Sequence, residues 1–222
     1  MNYKQLIKLI EEGENLRIEF KQKFSEYDKI AKEIIAFANT EGGTIIFGVT
    51  DKGRVLGVES EKEIAELVKE TIRDYCQPSV DYDLHYIRIK DKEVVALEIH
   101  ESKNKPHRIK DFKEKFILNE AQVFIRVRDK SVPASKEMIK LMQNRSLESS
   151  LKNYSIGKNE KLVFNYLSSH DYITAKEFSK IANLSSRRAS RTLINLVRAD
   201  ILAIHTKENG ENFYSSKGQK FT

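Results

Sequence analysis

Residues 34–58 read IIAFANTEGGTIIFGVTDKGRVLGV. Ile34, Phe37 and Ala38 recur at helical spacing, and with Ile30 they give residues 28–39 (DKIAKEIIAFAN) one apolar face. Asp28 is the expected N-cap. Gly42-Gly43 ends the helix, and the pattern turns extended: TIIFGV (44–49), a turn at Asp51-Lys52-Gly53, then RVLGV (54–58). Gly53 can take the positive φ that a tight turn requires, so this stretch is expected to be a hairpin. A helix that runs straight into extended chain indicates a mixed α and β unit.

The flanks extend that reading. Residues 3–12 place Leu6, Ile7, Leu9 and Ile10 at helical spacing, with Gly13 as a stop, and LRIEF (16–20) alternates as a half-buried strand does. Ser60 and Glu63 form a capping-box pattern for a helix to about Tyr75, with Ile64, Leu67, Val68 and Ile72 inward. Residues 80–89 and 93–100 predict two strands around Asp91-Lys92, and the polar stretch 102–120, with Pro106, predicts a loop with room for a short strand. QVFIRVR (122–128) predicts a strand with Val123, Ile125 and Val127 on one side and Arg126 and Arg128 on the other. Ser135 is expected to cap a helix to about Gln143. The expected fold class is α+β, a mixed sheet with helices over 1–147, and the polar Ser/Asn-rich stretch supplies a linker at 148–157.

From Lys158 the pattern is one of short elements. A helix over 158–169, a second capped by Thr174 and running to Ala182, a turn at Asn183-Leu184-Ser185, a third helix over 186–198, and strands 201–205 and 212–215 around Asn209-Gly210 follow in the order of a winged helix-turn-helix over 158–222. Phe178, Ile181, Leu184, Ala189, Leu193, Leu196 and Val197 are the expected core. The other face of the third helix carries Ser186, Arg187, Arg188, Arg191, Asn195 and Arg198. Arg pairs bidentately with guanine and Asn with adenine, so this face suits the major groove. Lys207 and Lys217 flank the hairpin and are expected to reach phosphate or minor groove. The plainer alternative is a protein-interaction module with a solvated basic face.

The charge agrees with that placement. The chain has 222 residues, 39 Lys plus Arg against 33 Asp plus Glu, a net charge of +6 and a pI of about 9.1. Residues 151–222 hold 12 basic and 6 acidic residues, and residues 1–150 hold 27 of each, so the surplus lies wholly in the last third. A hydrophobic fraction of 40% excludes a disordered chain, and no stretch reaches the roughly 18 apolar residues of a membrane span. The N-terminus lacks the apolar run of a signal peptide, so a cytoplasmic location is expected. The single cysteine, Cys76, excludes an intramolecular disulfide and a zinc site of several thiolates. His85, His100, His107, His170 and His205 show no metal-ligand spacing. Lys105, His107, Arg108, Lys110, Lys113 and Lys115 interleave with Phe112 and Phe116, and are candidates for a second nucleic-acid contact. Gly48 and Gly53 have P-loop separation, but Arg54 and Val55 follow them where a P-loop needs Lys and Ser or Thr. No P-loop ATPase is expected.

Glu19-Phe20-Lys21, Phe37-Ala38-Asn39, Gly42-Gly43, Gly48-Val49, Asp51, Gly53 and Gly57 together resemble the Schlafen AlbA-type DNA-binding domain, also called the divergent AAA family. KPHRI (105–109) and FIRVRDKSVPAS (124–135) are similar to that family's later strands, so the resemblance covers about 10–145. In bacteria and archaea this domain is often followed by a winged helix in proteins described as transcriptional regulators. The resemblance therefore implies a DNA-binding regulator of transcription whose partner is double-stranded DNA, with no cofactor. A homodimer would suit two-fold sites. Eukaryotic relatives include ribonucleases that use three acidic residues, which match Glu14, Glu19 and Asp51 by motif position. That implies a second reading, a metal-dependent endoribonuclease in which Mg²⁺ or Mn²⁺ activates water.

Overall fold

The computed structural model describes residues 1–112, 116–145 and 155–218. Lys113, Lys115 and most of the expected linker lie outside the described residues. The chain divides into two units, Met1–Ala134 and Ser135–Thr222.

The first unit runs α1 (Tyr3–Glu12), β1 (Ile18–Lys21), α2 (Tyr27–Asn39), β2 (Gly43–Phe47), α3 (Glu61–Tyr75), β3 (Cys76–Gln77), β4 (Tyr82–Ile89), β5 (Lys92–Ile99), β6 (Arg108–Ile109), β7 (Phe124–Val127) and β8 (Lys130–Pro133). Its main sheet has the order β1-β2-β5-β4. β1 and β2 are parallel, joined by α2, and β5 is antiparallel to both β2 and β4. The fold class is thus mixed α+β, as expected.

The TIIF run explains the central strand. Ile45 and Phe47 enter the cluster formed with Ile34, Phe37, Val68, Ile72, Val95 and Leu97, under α2 and α3. Ile46 enters the opposite cluster with Leu6, Phe20, Ile87, Val94 and Ala96, under α1. A strand covered on both faces is apolar throughout rather than alternating. The expected hairpin with residues 54–58 does not form. That segment makes one isolated bridge, Val49 to Val55. The turn itself is present: the Gly53 N–H donates to the Thr50 carbonyl at 2.8 Å, with Gly53 at φ 75°. Gly48 is required by a close approach, since a Cβ there would meet the Gly57 backbone at 2.9 Å. Crowding by Gly57 and Val58 thus gives the glycine of the P-loop-like spacing a packing reason.

Other boundaries move for local reasons. Glu26, not Asp28, occupies the N-cap of α2, and Asp28 falls in the first turn. Ser60 does cap α3, accepting the Glu63 N–H at 3.2 Å. The 102–120 stretch contains β6, which pairs with β3. β7 is joined by β8 in a hairpin.

The second unit runs α4 (Lys136–Arg145), α5 (Lys158–Leu167), β9 (Ile173–Thr174), α6 (Ala175–Ile181), α7 (Ser186–Arg198), β10 (Leu202–Thr206) and β11 (Asn212–Ser216). The strands form a small sheet in the order β10-β11-β9. α4, which the sequence pattern attached to the first unit, falls in the second. Its N-cap Ser135 accepts from the Met138 N–H at 3.1 Å and from the Asn212 side chain of β11 at 2.7 Å. Val163, Ile173, Phe178, Ala189, Leu193, Leu196, Leu202 and Tyr214 form its core. Ile181, expected in that core, lies 42% exposed at the end of α6. Thr174 and Glu177 make a reciprocal capping box for α6, and Ser185 caps α7. Gly210, at φ 82°, closes the hairpin between β10 and β11.

Candidate nucleic-acid interface

On α7 the apolar and basic positions separate cleanly. Ala189, Leu193 and Leu196 are fully buried. Ser186, Arg187, Arg188 and Arg191 are exposed. Among the described residues, none of these three arginines has an ion-pair partner. Asn195 and Arg198, on the same face toward the C-terminus, are half-buried, and the Arg198 Nε is enclosed. The free part of the face is therefore its N-terminal half. Both hairpin lysines are engaged. Lys207 pairs with Glu211 at 3.1 Å and lies 5.6 Å from the Tyr172 ring centre, and Lys217 pairs with Asp200. These partners are exposed, and such pairs contribute little and exchange readily with another anion.

The basic loop of the first unit is arranged differently. His107 is 1% exposed and Arg108 6%, so neither of these two residues of the expected second contact faces solvent. The His107 N–H and carbonyl are bracketed by the Asn39 side-chain amide, at 2.8 Å each, and its ring Nδ1 bonds the Pro78 carbonyl at 2.9 Å. Burial pushes the His107 pKa below the usual histidine range, with the Pro78 carbonyl opposing the shift. Arg108 pairs with Asp111 at 3.2 Å and lies over Phe116. Lys105 donates to the Thr40 carbonyl and to Glu101, each at 2.7 Å, and Lys110 donates to the Arg73 carbonyl at 3.3 Å. Lys105, Arg108 and Lys110 are thus each held by acceptors of the domain itself.

The three acids lie within electrostatic reach of one another. Glu14 accepts the Phe20 N–H at 3.0 Å. Its carboxyl is held above the usual range chiefly by burial; the Phe20 N–H opposes this, and Glu19 and Asp51 add to it. Asp51 is exposed in its turn. Glu19, however, is committed: it pairs with Lys21 and, at 3.0 Å, with Arg126 Nη1. Among the described residues no three His, Cys, Asp or Glu side chains are grouped to hold a metal ion. Of the three acids, Glu19 is thus already held by two cations.

Arg126 is the residue that the sequence pattern misplaced. Its side chain is fully buried and donates to Glu19 at 3.0 Å, Glu33 at 2.9 Å, Ser131 at 3.2 Å and the Asn15 carbonyl at 2.9 Å, with its guanidinium 4.6 Å from the Phe37 ring centre. It ties β7 to β1 and α2. Its acceptors Asn15, Glu19 and Glu33 lie 93 to 111 positions away, so no local pattern signals the pairing.

The chain is 34% identical over 87 residues to an uncharacterized ATP-binding protein of Ureaplasma parvum, a stretch that is 36% of this chain and 24% of that protein. The chain thus matches about a quarter of that relative's length. Among solved structures, the N-terminal domain of a RecG-related protein from Nitrosomonas europaea, named for ATP-dependent DNA helicases, aligns with a TM-score of 0.41 and 22% identity over 48% of this chain and 81% of that one. The DIP2311 protein of Corynebacterium diphtheriae aligns with a TM-score of 0.44 and 18% identity over 88% of this chain and 40% of that one. The family model described as Schlafen, AlbA_2 matches residues 14–135. That match takes in more than half of the sequence and nearly all of the mixed-sheet unit from Glu14 onward, and the chain belongs to the Schlafen AlbA_2 family.

Proposed function

We propose that this protein binds double-stranded DNA through its second unit, acting as a winged helix-turn-helix, and regulates transcription. α6 and α7 would be the helix-turn-helix, the β10–β11 hairpin the wing, and α7 the helix that enters the major groove. The observation that carries the reading is the exposed set Arg187, Arg188 and Arg191, without ion-pair partners among the described residues, on a helix whose opposite face is the unit's core. Lys207 and Lys217 add phosphate contacts by exchanging Glu211 and Asp200 for the DNA backbone. The first unit's part is to add backbone contacts or to pair two chains on a two-fold site. The reading calls for no cofactor. A gel-shift titration of the full chain on a duplex at low salt tests it. Binding that is lost when Arg187, Arg188 and Arg191 are all replaced by Ala is the expected result. Equal binding by the variant refutes the assignment of α7.

The ribonuclease reading at Glu14, Glu19 and Asp51 is disfavoured by the Arg126 and Lys21 pairs that neutralise Glu19. Structured RNA incubated with the protein and Mg²⁺ or Mn²⁺ is expected to stay intact. Cleavage that disappears in Glu14→Ala would reverse this ordering.

A further inference from the structure

The exposed cations of the second unit's two central helices differ in kind. On α6 they are lysines, Lys176 and Lys180. On α7 they are arginines alone, Arg187, Arg188 and Arg191. A lysine ammonium is a point charge that serves any phosphate, whereas guanidinium is a planar fork whose donors match the O6 and N7 acceptors of guanine. The fourth arginine and the only amide of this face are held back, because Arg198 and Asn195 are half-buried. The face therefore offers guanine readers freely and its adenine reader poorly.

Helical geometry sets their spacing. At about 100° per residue the three free arginines fall within an arc of about 100°, opposite the buried Ala189, Leu193 and Leu196. Arg187 and Arg191 are separated along the axis by about 6 Å, which is about two base-pair steps of B-DNA.

Resting on the duplex-binding reading above, we infer that α7 selects DNA by guanine, with Arg187 and Arg191 each holding one guanine and the two guanines within about two base-pair steps of each other. Arg188, at the edge of the arc, completes the set on a neighbouring base or phosphate. The lysines of α6 hold the backbone and contribute no base preference. Each guanine so held discriminates against adenine by about tenfold or more.

The test is selection from a randomised duplex pool by the full chain, with sequencing of the retained DNA, repeated with the Arg187→Lys, Arg188→Lys, Arg191→Lys variant. The substitutions are on exposed positions and keep every charge, so phosphate attraction is retained while the fork is lost. The expected result is enrichment of GG or GNG steps by the natural protein, and retention of DNA by the lysine variant with that enrichment abolished. Retention of DNA by the natural protein with no guanine step enriched overturns the inference and leaves duplex binding standing. Guanine enrichment that persists in the lysine variant overturns it equally. Failure of the natural protein to retain any of the pool at low salt refutes the duplex-binding reading itself, and the inference with it.

Discussion

Arg126 of the first unit and Arg191 of the second carry the same guanidinium into opposite surroundings. Arg126 is sealed between strand and helix, with two carboxylates, a hydroxyl and a carbonyl as acceptors. Arg191 stands in solvent, with no ion-pair partner among the described residues. The same contrast separates the loop cations Lys105, Arg108 and Lys110, all with protein acceptors, from Arg187 and Arg188. A basic residue indicates a nucleic-acid surface only where the fold has left it without a protein acceptor. Among the described residues that condition is met by Arg187, Arg188 and Arg191 of α7 and not by Lys105, Arg108 and Lys110 of the loop.

The largest effect that would sharpen this contrast is on stability. Arg126→Leu leaves Glu19 and Glu33 without their buried cation, and is expected to lower the stability of the first unit by about 3–5 kcal/mol. Urea denaturation followed by circular dichroism measures it. A loss below about 1 kcal/mol would mean that the network is not a structural clamp. Next in size, replacing Arg187, Arg188 and Arg191 by Ala is expected to cut duplex affinity on the order of a hundredfold while leaving the melting temperature unchanged. The two arginine sets should thus separate, one affecting folding and the other binding.

A smaller effect follows from His107. Its folded pKa lies below its unfolded one because of burial. Above about pH 6.5 both states are neutral at this ring and no stability is lost. As the pH falls below that value, the unfolded chain takes up a proton that the folded chain resists. Stability therefore declines, by at most about 1.4 kcal/mol per pH unit. Between pH 6.5 and 5 the stability of His107→Gln should fall less steeply than that of the natural protein, and parallel curves would contradict the assignment. Ser135→Ala, which removes the cap of α4 and its bond from Asn212, should cost about 1 kcal/mol in a thermal melt. The smallest expected effect breaks or sustains the contrast directly. Lys105→Ala with Lys110→Ala should change duplex affinity by less than about twofold, because these ammonium groups already have protein acceptors. A tenfold loss would return the loop to the interface.

Local rules recovered much of the molecule. The periodicity of α2 and α3, the Ser60 and Thr174 caps, and the Asn209-Gly210 turn are each decided within a few residues, and each is present. What local rules could not supply depends on distant partners. TIIF reads equally well as one arm of a hairpin or as a strand buried on both faces. Only β1 and β5, which flank it, decide between them. RVLGV loses its strand because Gly48 and Gly57 meet backbone to backbone. For the candidate site, the outward arginines of α7 were legible because the apolar stripe of one helix fixes where its other face points. Arg126 was not legible. Alternation assigned it to the polar side of β7, and that side is covered by α2 and β1.

The most direct measurement is fluorescence anisotropy of a labelled duplex against the full chain and the triple alanine variant, across a series of salt concentrations. If α7 is the interface, the natural protein binds with an affinity that falls linearly in log–log form. The variant then binds more weakly and with a shallower slope, because positive charge at the interface is lost. Identical affinities and slopes for the two proteins would contradict the account.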